Sequence, residues 1–388
     1  MITRLRTERK SNYRGILLYD LSAAYDVLSP EIFLEKAELI GVCGKSLAWL
    51  ASYLSDRSQI VQINEALSQP LKLQAGTPQG SSCSCLVFAL FVGDVQLWID
   101  DGVVIAYADD TMVIVEATTL EDLRKKLKME GEKILSFFAS NKLVANPSKT
   151  GLLIVHPSKA SSENKTSVEL GGEIIVESEE QKVLGVMITK DLKWTNQVDK
   201  VKGECTYRLS VLRRLKKYLS SRQLKTISEG LIMSRLRYCL PVWGSEFIRL
   251  SEHEPSSTIA HELQIIQNDT LRTITGNRRS DHVRIQDMLA DTKMLSINQL
   301  AAYGTLLETW KARTFGVPHL STLLHSPSRK DDRKLRSDSS NNLQAAVIEP
   351  FSICAEKLWN LTSDRFRETN LLSVAKIEAK KAVSHLPI

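Results

Sequence analysis

The stretch Val103-Val104-Ile105-Ala106-Tyr107-Ala108-Asp109-Asp110-Thr111-Met112-Val113-Ile114-Val115 constrains this chain more than any other. β-forming residues lead up to a paired carboxylate and more follow it, which predicts two strands with Ala-Asp-Asp as the turn between them. Two ionised Asp side chains at a hairpin tip repel each other unless a cation lies between them, and Mg²⁺ prefers carboxylate and water oxygens. Asp also favours turns for local reasons, so the pair alone leaves both readings open.

Elsewhere the chain is unremarkable in bulk. At 388 residues it has room for two or three domains, and 43% apolar with 25% charged residues is ordinary for a globular protein. The start, Met1 to Lys10, has no apolar block of the secretory kind. The longest apolar run, Leu86 to Ile99, is broken by Asp94 and too short to span a bilayer. We expect an intracellular protein of nucleus or cytoplasm, neither secreted nor membrane-bound. The six cysteines (Cys43, Cys83, Cys85, Cys205, Cys239, Cys354) lack metal-ligand spacing and are expected to be free, buried thiols.

Charge is unevenly placed. Between Lys193 and Arg237 stand twelve Lys/Arg against Asp199, Glu204 and Glu229, so this one segment holds more positive charge than the whole chain's net +6. Tyr207, Leu209, Leu212, Leu215 and Leu219 recur there at roughly helical spacing, predicting an amphipathic helix whose basic face meets a polyanion such as a nucleic acid.

Along the chain, Ile16–Tyr19 reads as a strand ending at Asp20. Ser29-Pro30 opens a helix that Gly41 stops, and a second helix covers about 45–54. Strands are expected at 59–63 and 71–74 around an Asn64-Glu65 turn. A helix follows Gly80, another spans about 120–140, 141–147 is a turn, and 152–155 is a strand. Residues 174–176 and 183–188 are expected to form a hairpin, and from Asn196 the chain reads as helical almost to its end. Residues 325–342, rich in Ser, Lys, Arg and Asp, read as a flexible linker. This order is an α+β pattern with antiparallel elements.

If the fold brings Asp20 to Asp109 and Asp110, three carboxylates converge. Such a cluster can hold two Mg²⁺ ions about 4 Å apart and suits phosphoryl transfer. Several motifs point the same way. Asp20-Leu21-Ser22-Ala23-Ala24-Tyr25-Asp26, Gly76-Thr77-Pro78-Gln79-Gly80-Ser81 and Tyr107-Ala108-Asp109-Asp110 resemble, in order, three motifs of the reverse transcriptases of non-LTR (LINE-type) retrotransposons. Asn141-Lys142-Leu143 with Asn146-Pro147-Ser148-Lys149-Thr150 resembles their fourth. Leu184-Gly185-Val186 with Asp191-Leu192-Lys193-Trp194 is similar to the region that grips the primer end. Gln264-Ile265-Ile266-Gln267-Asn268, Leu271-Arg272 and Thr275-Gly276 resemble the helical region after the thumb, so the likeness covers about residues 15–305.

The resemblance implies an RNA-directed DNA polymerase with a palm (antiparallel sheet, helices on one face) and partial fingers, a helical thumb and a C-terminal helical region. The expected division is 1–160 palm with partial fingers, 161–195 primer-grip hairpin region, 196–250 basic thumb, 251–324 helical post-thumb region, 325–342 linker and 343–388 C-terminal helical segment. By the same resemblance Asp20, Asp109 and Asp110 are metal ligands for two Mg²⁺ (Mn²⁺ an alternative), helped by the Leu21 carbonyl. Tyr25 lies under the sugar of the incoming nucleotide and disfavours a 2′-hydroxyl. Gln79 and Gly80 touch nucleotide and template, and Lys149 neutralises or protonates pyrophosphate, a solvated turn lysine being the alternative. Arg213, Arg214, Lys216 and Lys217 contact nucleic acid. The implied partners are an RNA template, a DNA primer and deoxynucleoside triphosphates. Trp194 and Trp243 are expected as core anchors and Asp26 as a local cap.

Three departures bear on the expectation. Only nineteen residues precede Asp20, where the family places most of its fingers, so Arg4, Arg6, Arg9 and Lys10 stand in too short a segment for the triphosphate-holding hairpin. Ser82-Cys83-Ser84-Cys85 replaces the prolines usual after the second motif. No upstream endonuclease or cysteine-rich C-terminal knuckle is present in the sequence. We therefore expect an N-terminally truncated reverse transcriptase with an incomplete nucleotide grip, the alternative being a non-catalytic nucleic-acid-binding remnant. A group II intron maturase fits less well, because the region after residue 196 follows the retrotransposon pattern.

Overall fold

The computed structural model describes residues 12–145, 149–157, 165–317, 324–325, 343–345 and 350–388. The basic residues Arg4, Arg6, Arg9 and Lys10, the Asn146-Pro147-Ser148 of the fourth motif, and all of the expected linker except His325 lie outside these residues. The chain divides into two compact units. One holds essentially residues 8–185 and 189–192, the other 186–188 and everything from Lys193 on.

In the first unit the order is β1 (Tyr13–Asp20), α1 (Ala24–Val27), α2 (Pro30–Leu39), α3 (Gly44–Leu54), β2 (Ser58–Gln59), β3 (Gln62–Ile63), β4 (Ala66–Leu67), β5 (Leu71–Lys72), α4 (Ser82–Phe91), β6 (Val103–Tyr107), β7 (Asp110–Ala117), α5 (Leu120–Ser140) and β8 (Gly151–Val155). β9 (Ser167–Leu170), β10 (Glu173–Val176) and β11 (Glu180–Val183) follow, and β12 (Val186–Thr189), three of whose four residues belong to the second unit, comes next in the chain. The central sheet has the order β6-β7-β1-β8, with every pairing antiparallel. Strand side chains alternate between faces. On one face Leu17, Tyr19, Val113, Val115, Leu152 and Ile154 are buried in the main core of the unit together with Leu123, Leu127, Ile134 and Phe137 of α5.

Two glycines allow α5 to lie that close. A Cβ on Gly131 would stand 3.0 Å from Leu17 Cδ1, and one on Gly15 would stand 2.6 Å from Leu127 Cδ1. By the same alternation Asp20 and Asp110 project from the opposite face. The unit is thus an α+β fold of polymerase-palm type.

Several local expectations change. Ser29 occupies the N-cap of α2, but its side chain makes no capping bond; Pro30 at the first helical position does the starting. The strands expected at 59–63 and 71–74 are two minimal ladders, β2 with β5 and β3 with β4, turned at Asn64, which has φ 55°. Little holds that ribbon down, since Ile60, Val61, Ile63, Leu67 and Leu71 are all exposed. The expected hairpin of 174–176 with 183–188 does not form. β10 pairs with β9, and β11 and β12 turn at Leu184-Gly185, both with positive φ, the geometry a two-residue hairpin requires. Among the cysteines only Cys205 is buried, whereas Cys43 and Cys85 are exposed and the rest intermediate. The sparse spacing excluded a zinc site but carried no information on depth.

The second unit is mostly helical. It contains α6 (Thr195–Leu215), α7 (Ser221–Ser228), a π-turn over 229–233, α8 (Ser234–Arg237), α9 (Leu240–Trp243), α10 (Thr258–Thr275), α11 (Ile285–Thr292) and α12 (Ile297–Phe315). A short ladder of β13 (Leu324–His325) with β14 (Gln344–Ala345) precedes α13 (Pro350–Asn360), α14 (Asp364–Glu368) and α15 (Leu372–Val383). Trp194 and Trp243 are core anchors as expected, 2% and 0% exposed, and the Trp194 indole donates to Glu246 at 2.9 Å.

The basic segment is several helices rather than one. Leu209 and Leu212 are buried, but Tyr207 is 70% exposed and Leu219 lies beyond the end of α6. Tyr207 falls two residues from Leu209, which on a helix puts it on another face. No helix among the described residues is long and apolar enough to cross a membrane.

Candidate active site

The register of the sheet does what spacing alone could not. In the antiparallel pairing of β1 with β7, Asp20 stands opposite Asp110, and in the β6–β7 hairpin Tyr107 stands opposite Asp110. Directly opposed residues have Cβ atoms about 4.5–5.5 Å apart on the same face. Asp109 sits in the two-residue turn beside them. Ala108, ahead of it, has φ 53°, a left-handed conformation that costs a non-glycine residue about 1–2 kcal/mol and is typical of strain held at functional tips.

The electrostatics agree with this convergence. Partial desolvation of a residue that is still exposed, then the charges of Asp109 and Asp20, push the Asp110 carboxyl above the usual carboxylate range. The Lys149 ammonium lies 2.9 Å from Asp20 Oδ2 and partly offsets the crowding. An all-oxygen carboxylate set of this kind fits a hard divalent cation such as Mg²⁺ or Mn²⁺. Among the described residues, however, no group of three His, Cys, Asp or Glu side chains is arranged as a ready cage. Asp20, with its side chain 37% exposed, and the exposed Asp110 have the freedom to turn toward an ion.

A cleft of about 630 Å³ opens beside Asp109, lined by Ala23 to Asp26, Gln79 to Ser82, Ser84 and Cys85. Its walls come from segments far apart in sequence that backbone bonds hold together. Gly76 N–H donates to the Leu28 carbonyl at 2.7 Å and Thr77 N–H to the Tyr25 carbonyl at 2.8 Å. Only glycine fits at position 76, which has φ 86° and where a Cβ would meet the Asp26 carbonyl oxygen at 2.7 Å. Arg57 braces the same turn by donating to the Ala75 and Gly76 carbonyls. Ser84 gathers Tyr53, Thr77 and the Pro78 carbonyl. The Ser-Cys-Ser-Cys stretch that departs from the family is the first turn of α4, with the Ser81 side chain accepting from Cys83 N–H as N-cap.

Within the cleft the Tyr25 ring stacks on Phe88, centroids 4.7 Å apart. Its hydroxyl is held above the usual phenol range by burial, then by Cys85, Asp109 and Tyr107. Gln79 and Gly80 lie across from it, both exposed. Asp26 is not the local cap expected; its Oδ1 accepts from Gln79 Nε2 at 2.7 Å and so orients that amide. Leu21 is buried and bridges Ala145, and Ser22 N–H donates to the Val144 carbonyl, which ties the fourth motif to the first. Sequence reasoning missed Phe88, Ser84, Cys85 and the Asp26–Gln79 bond. All are contacts made across long separations, with no local pattern to reveal them.

The four basic residues of the second unit do not behave alike. Arg213 is paired with Asp269 at 2.9 Å, and Lys217 lies over the Tyr218 ring.

An antiparallel palm sheet with opposed carboxylates beside a nucleotide-sized cleft defines a polymerase-type domain. Residues 2–188 match the family described as reverse transcriptase (RNA-dependent DNA polymerase). The chain is also 24% identical over 239 residues to a probable RNA-directed DNA polymerase from transposon BS of Drosophila melanogaster, a non-LTR element, covering 58% of this chain and 25% of that protein. The chain spans about a quarter of the length of this curated relative. Solved structures that align include apo telomerase from Candida tropicalis (14% identity, TM-score 0.40, 82% of this chain and 54% of that one). Telomerase from Candida albicans aligns at 15% identity and TM-score 0.34, over 80% of this chain and 50% of that one.

Proposed function

We propose that the chain is an RNA-directed DNA polymerase of a non-LTR retrotransposon, extending a DNA primer on an RNA template with deoxynucleoside triphosphates. The observation that carries this reading is the register that sets Asp20 opposite Asp110 with Asp109 at the adjoining tip, on the rim of the cleft. Asp20, Asp109 and Asp110, with the Leu21 carbonyl, would hold two Mg²⁺ ions (or Mn²⁺). When bound, these would supply an activated primer oxygen and a stabilised leaving group.

The chain's own residues do the rest. Tyr25, stiffened by Phe88, presents a flat ring where a ribose 2′-hydroxyl would clash. Gln79, oriented by Asp26, and Gly80 position nucleotide and template. Lys149 moves between Asp20 and the departing pyrophosphate. Arg213, Arg214, Lys216 and Lys217 bind the nucleic-acid backbone. In domain terms the assignment is 1–160 palm with partial fingers, 161–195 primer-grip region, 196–250 thumb, 251–324 post-thumb, 325–342 linker and 343–388 C-terminal segment, in an intracellular protein.

The test is primer extension on an RNA template with deoxynucleotides and Mg²⁺, comparing the parent with Asp109→Asn. Extension by the parent alone supports the reading. If both proteins bind the primer–template and neither extends it, the chain is a nucleic-acid-binding remnant.

A further inference from the structure

Asp269, on α10, is the centre of an ion cluster that the catalytic reading leaves unexplained. Its carboxylate accepts from Arg213 Nη2 of α6 at 2.9 Å, from Arg279 Nη2 at 3.0 and 2.9 Å, and from Arg272 Nη1 at 3.5 Å. The carboxylate is largely sequestered, with its side chain 15% exposed, while Arg213 and Arg279 are 54% and 73% exposed above it. Three guanidiniums on one carboxylate leave two positive charges in excess.

The cluster is built from three separate pieces of chain, each fixed by its own local chemistry. α10 buries Leu263, Ile266, Thr270, Leu271 and Ile274, which leaves Asp269 and Arg272, one turn apart, at the edge of its buried face. Gly276, at φ 85°, ends α10 in a left-handed cap and turns the chain back so that Arg279 reaches Asp269. That loop is pinned in turn, because Asp281 accepts from Arg278 N–H at 2.6 Å. α6 supplies Arg213 from its last turn.

A tie between α6 and α10 needs one arginine, and exposed ion pairs contribute little to stability. Here one carboxylate instead restrains two exposed guanidiniums, each engaging it through a single nitrogen. Among the described residues neither has another acceptor. With 54% and 73% of these side chains exposed, their remaining N–H donors are open to a ligand, and forked N–H donors are the geometry that recognises phosphate. Ordering such side chains in advance removes an entropic cost that binding would otherwise meet.

We infer that Arg213, Arg272 and Arg279, held by Asp269, form a phosphate-binding site for a nucleic-acid backbone in the second unit. The site shares Arg213 with the basic helix of the proposed function but does not require that the chain polymerise. DNA and RNA present the same phosphate, so both are probed.

The experiment measures binding of the full chain to an RNA duplex and to a DNA duplex of one sequence by fluorescence anisotropy. Salt is varied from about 50 to 200 mM, without divalent metal or nucleotide, so that a failure of catalysis cannot affect the result. Each phosphate contact contributes about 0.9 to the slope of log K against log salt on B-DNA. Arg279→Ala and Arg213→Ala should each lower the slope by about that amount on at least one duplex, and Arg279→Lys should keep the parent slope while weakening binding. Arg279 is exposed enough for its substitution to leave the fold intact, which a circular-dichroism melt checks. The inference is overturned if the parent fails to bind either duplex, or if both alanine variants keep the parent slope. It is equally overturned if Arg279→Lys loses the slope as fully as Arg279→Ala, because the change would then come from disturbed structure rather than charge.

Discussion

Gly76→Ala isolates the device that assembles the cleft. The substitution removes no side chain and adds one methyl group at φ 86°, 2.7 Å from the Asp26 carbonyl oxygen and 3.0 Å from its Cα. Both neighbours are backbone, so neither can swing aside. The segment must move, and two hydrogen bonds go with it, Gly76 N–H to Leu28 and Thr77 N–H to Tyr25. At about 1 kcal/mol for each bond and about 1 kcal/mol for a non-glycine residue with positive φ, the loss is about 3 kcal/mol. For a unit of this size that corresponds to a fall of about 9 °C in the melting temperature of the first unit. The functional effect should be larger in proportion. Gln79 follows Gly76 by three residues, and displacement of a positioning group by about 1 Å costs about a hundredfold in rate. Differential scanning calorimetry reads the first quantity and single-turnover primer extension the second. A Gly76→Ala protein that melts with the parent and extends at its rate would refute the claim that this close approach builds the site.

Other outcomes follow from the same geometry. Asp26→Asn keeps the size of the side chain but weakens its charge-assisted bond to Gln79; it should raise the KM for nucleotide several-fold with little change in melting, and an unchanged KM would remove Asp26 from the site. Trp194→Ala empties a fully buried position and loses the bond to Glu246, so urea unfolding of the second unit should show a loss of about 3–5 kcal/mol. Burial raises the Cys205 thiol from its ordinary 9.0 to about 11. Its stabilising contribution is therefore intact below pH about 9, where both states are protonated, and is lost as pH climbs toward 11, because the unfolded chain ionises first. Denaturation midpoints at pH 8 and pH 10.5, parent against Cys205→Ala, should converge at the higher pH. In the native protein iodoacetamide should label Cys43 and Cys85 before Cys205, as peptide mapping will show.

The local elements around the carboxylates were readable because each depends on neighbours in sequence. The β6–β7 hairpin follows from β-formers flanking a polar turn, α2 and α3 from Pro30, Gly41 and apolar periodicity, and the burial of Trp194 and Trp243 from their bulk. Where residues had more than one partner to choose from, sequence misled. Ile174–Val176 could alternate as a strand beside either neighbour, and chose β9. Tyr207 sat close enough to helical spacing to pass for core, yet its hydroxyl-bearing ring faces water. Asp26 had the composition of a cap, but its bond is to Gln79, fifty-three residues away.

What the amino-acid order determined by itself was the inventory: which segments extend, which coil, and that Asp20, Asp109 and Asp110 stand at strand ends beside turns, since strand alternation and turn chemistry act over a few residues. Only the tertiary structure decided that Asp20 faces Asp110 across one pair of strands, that Gly76 clasps the first motif, and that Asp269 gathers three arginines. Each of these depends on strand register or helix packing between distant segments, set by the burial of a shared core rather than by any local preference.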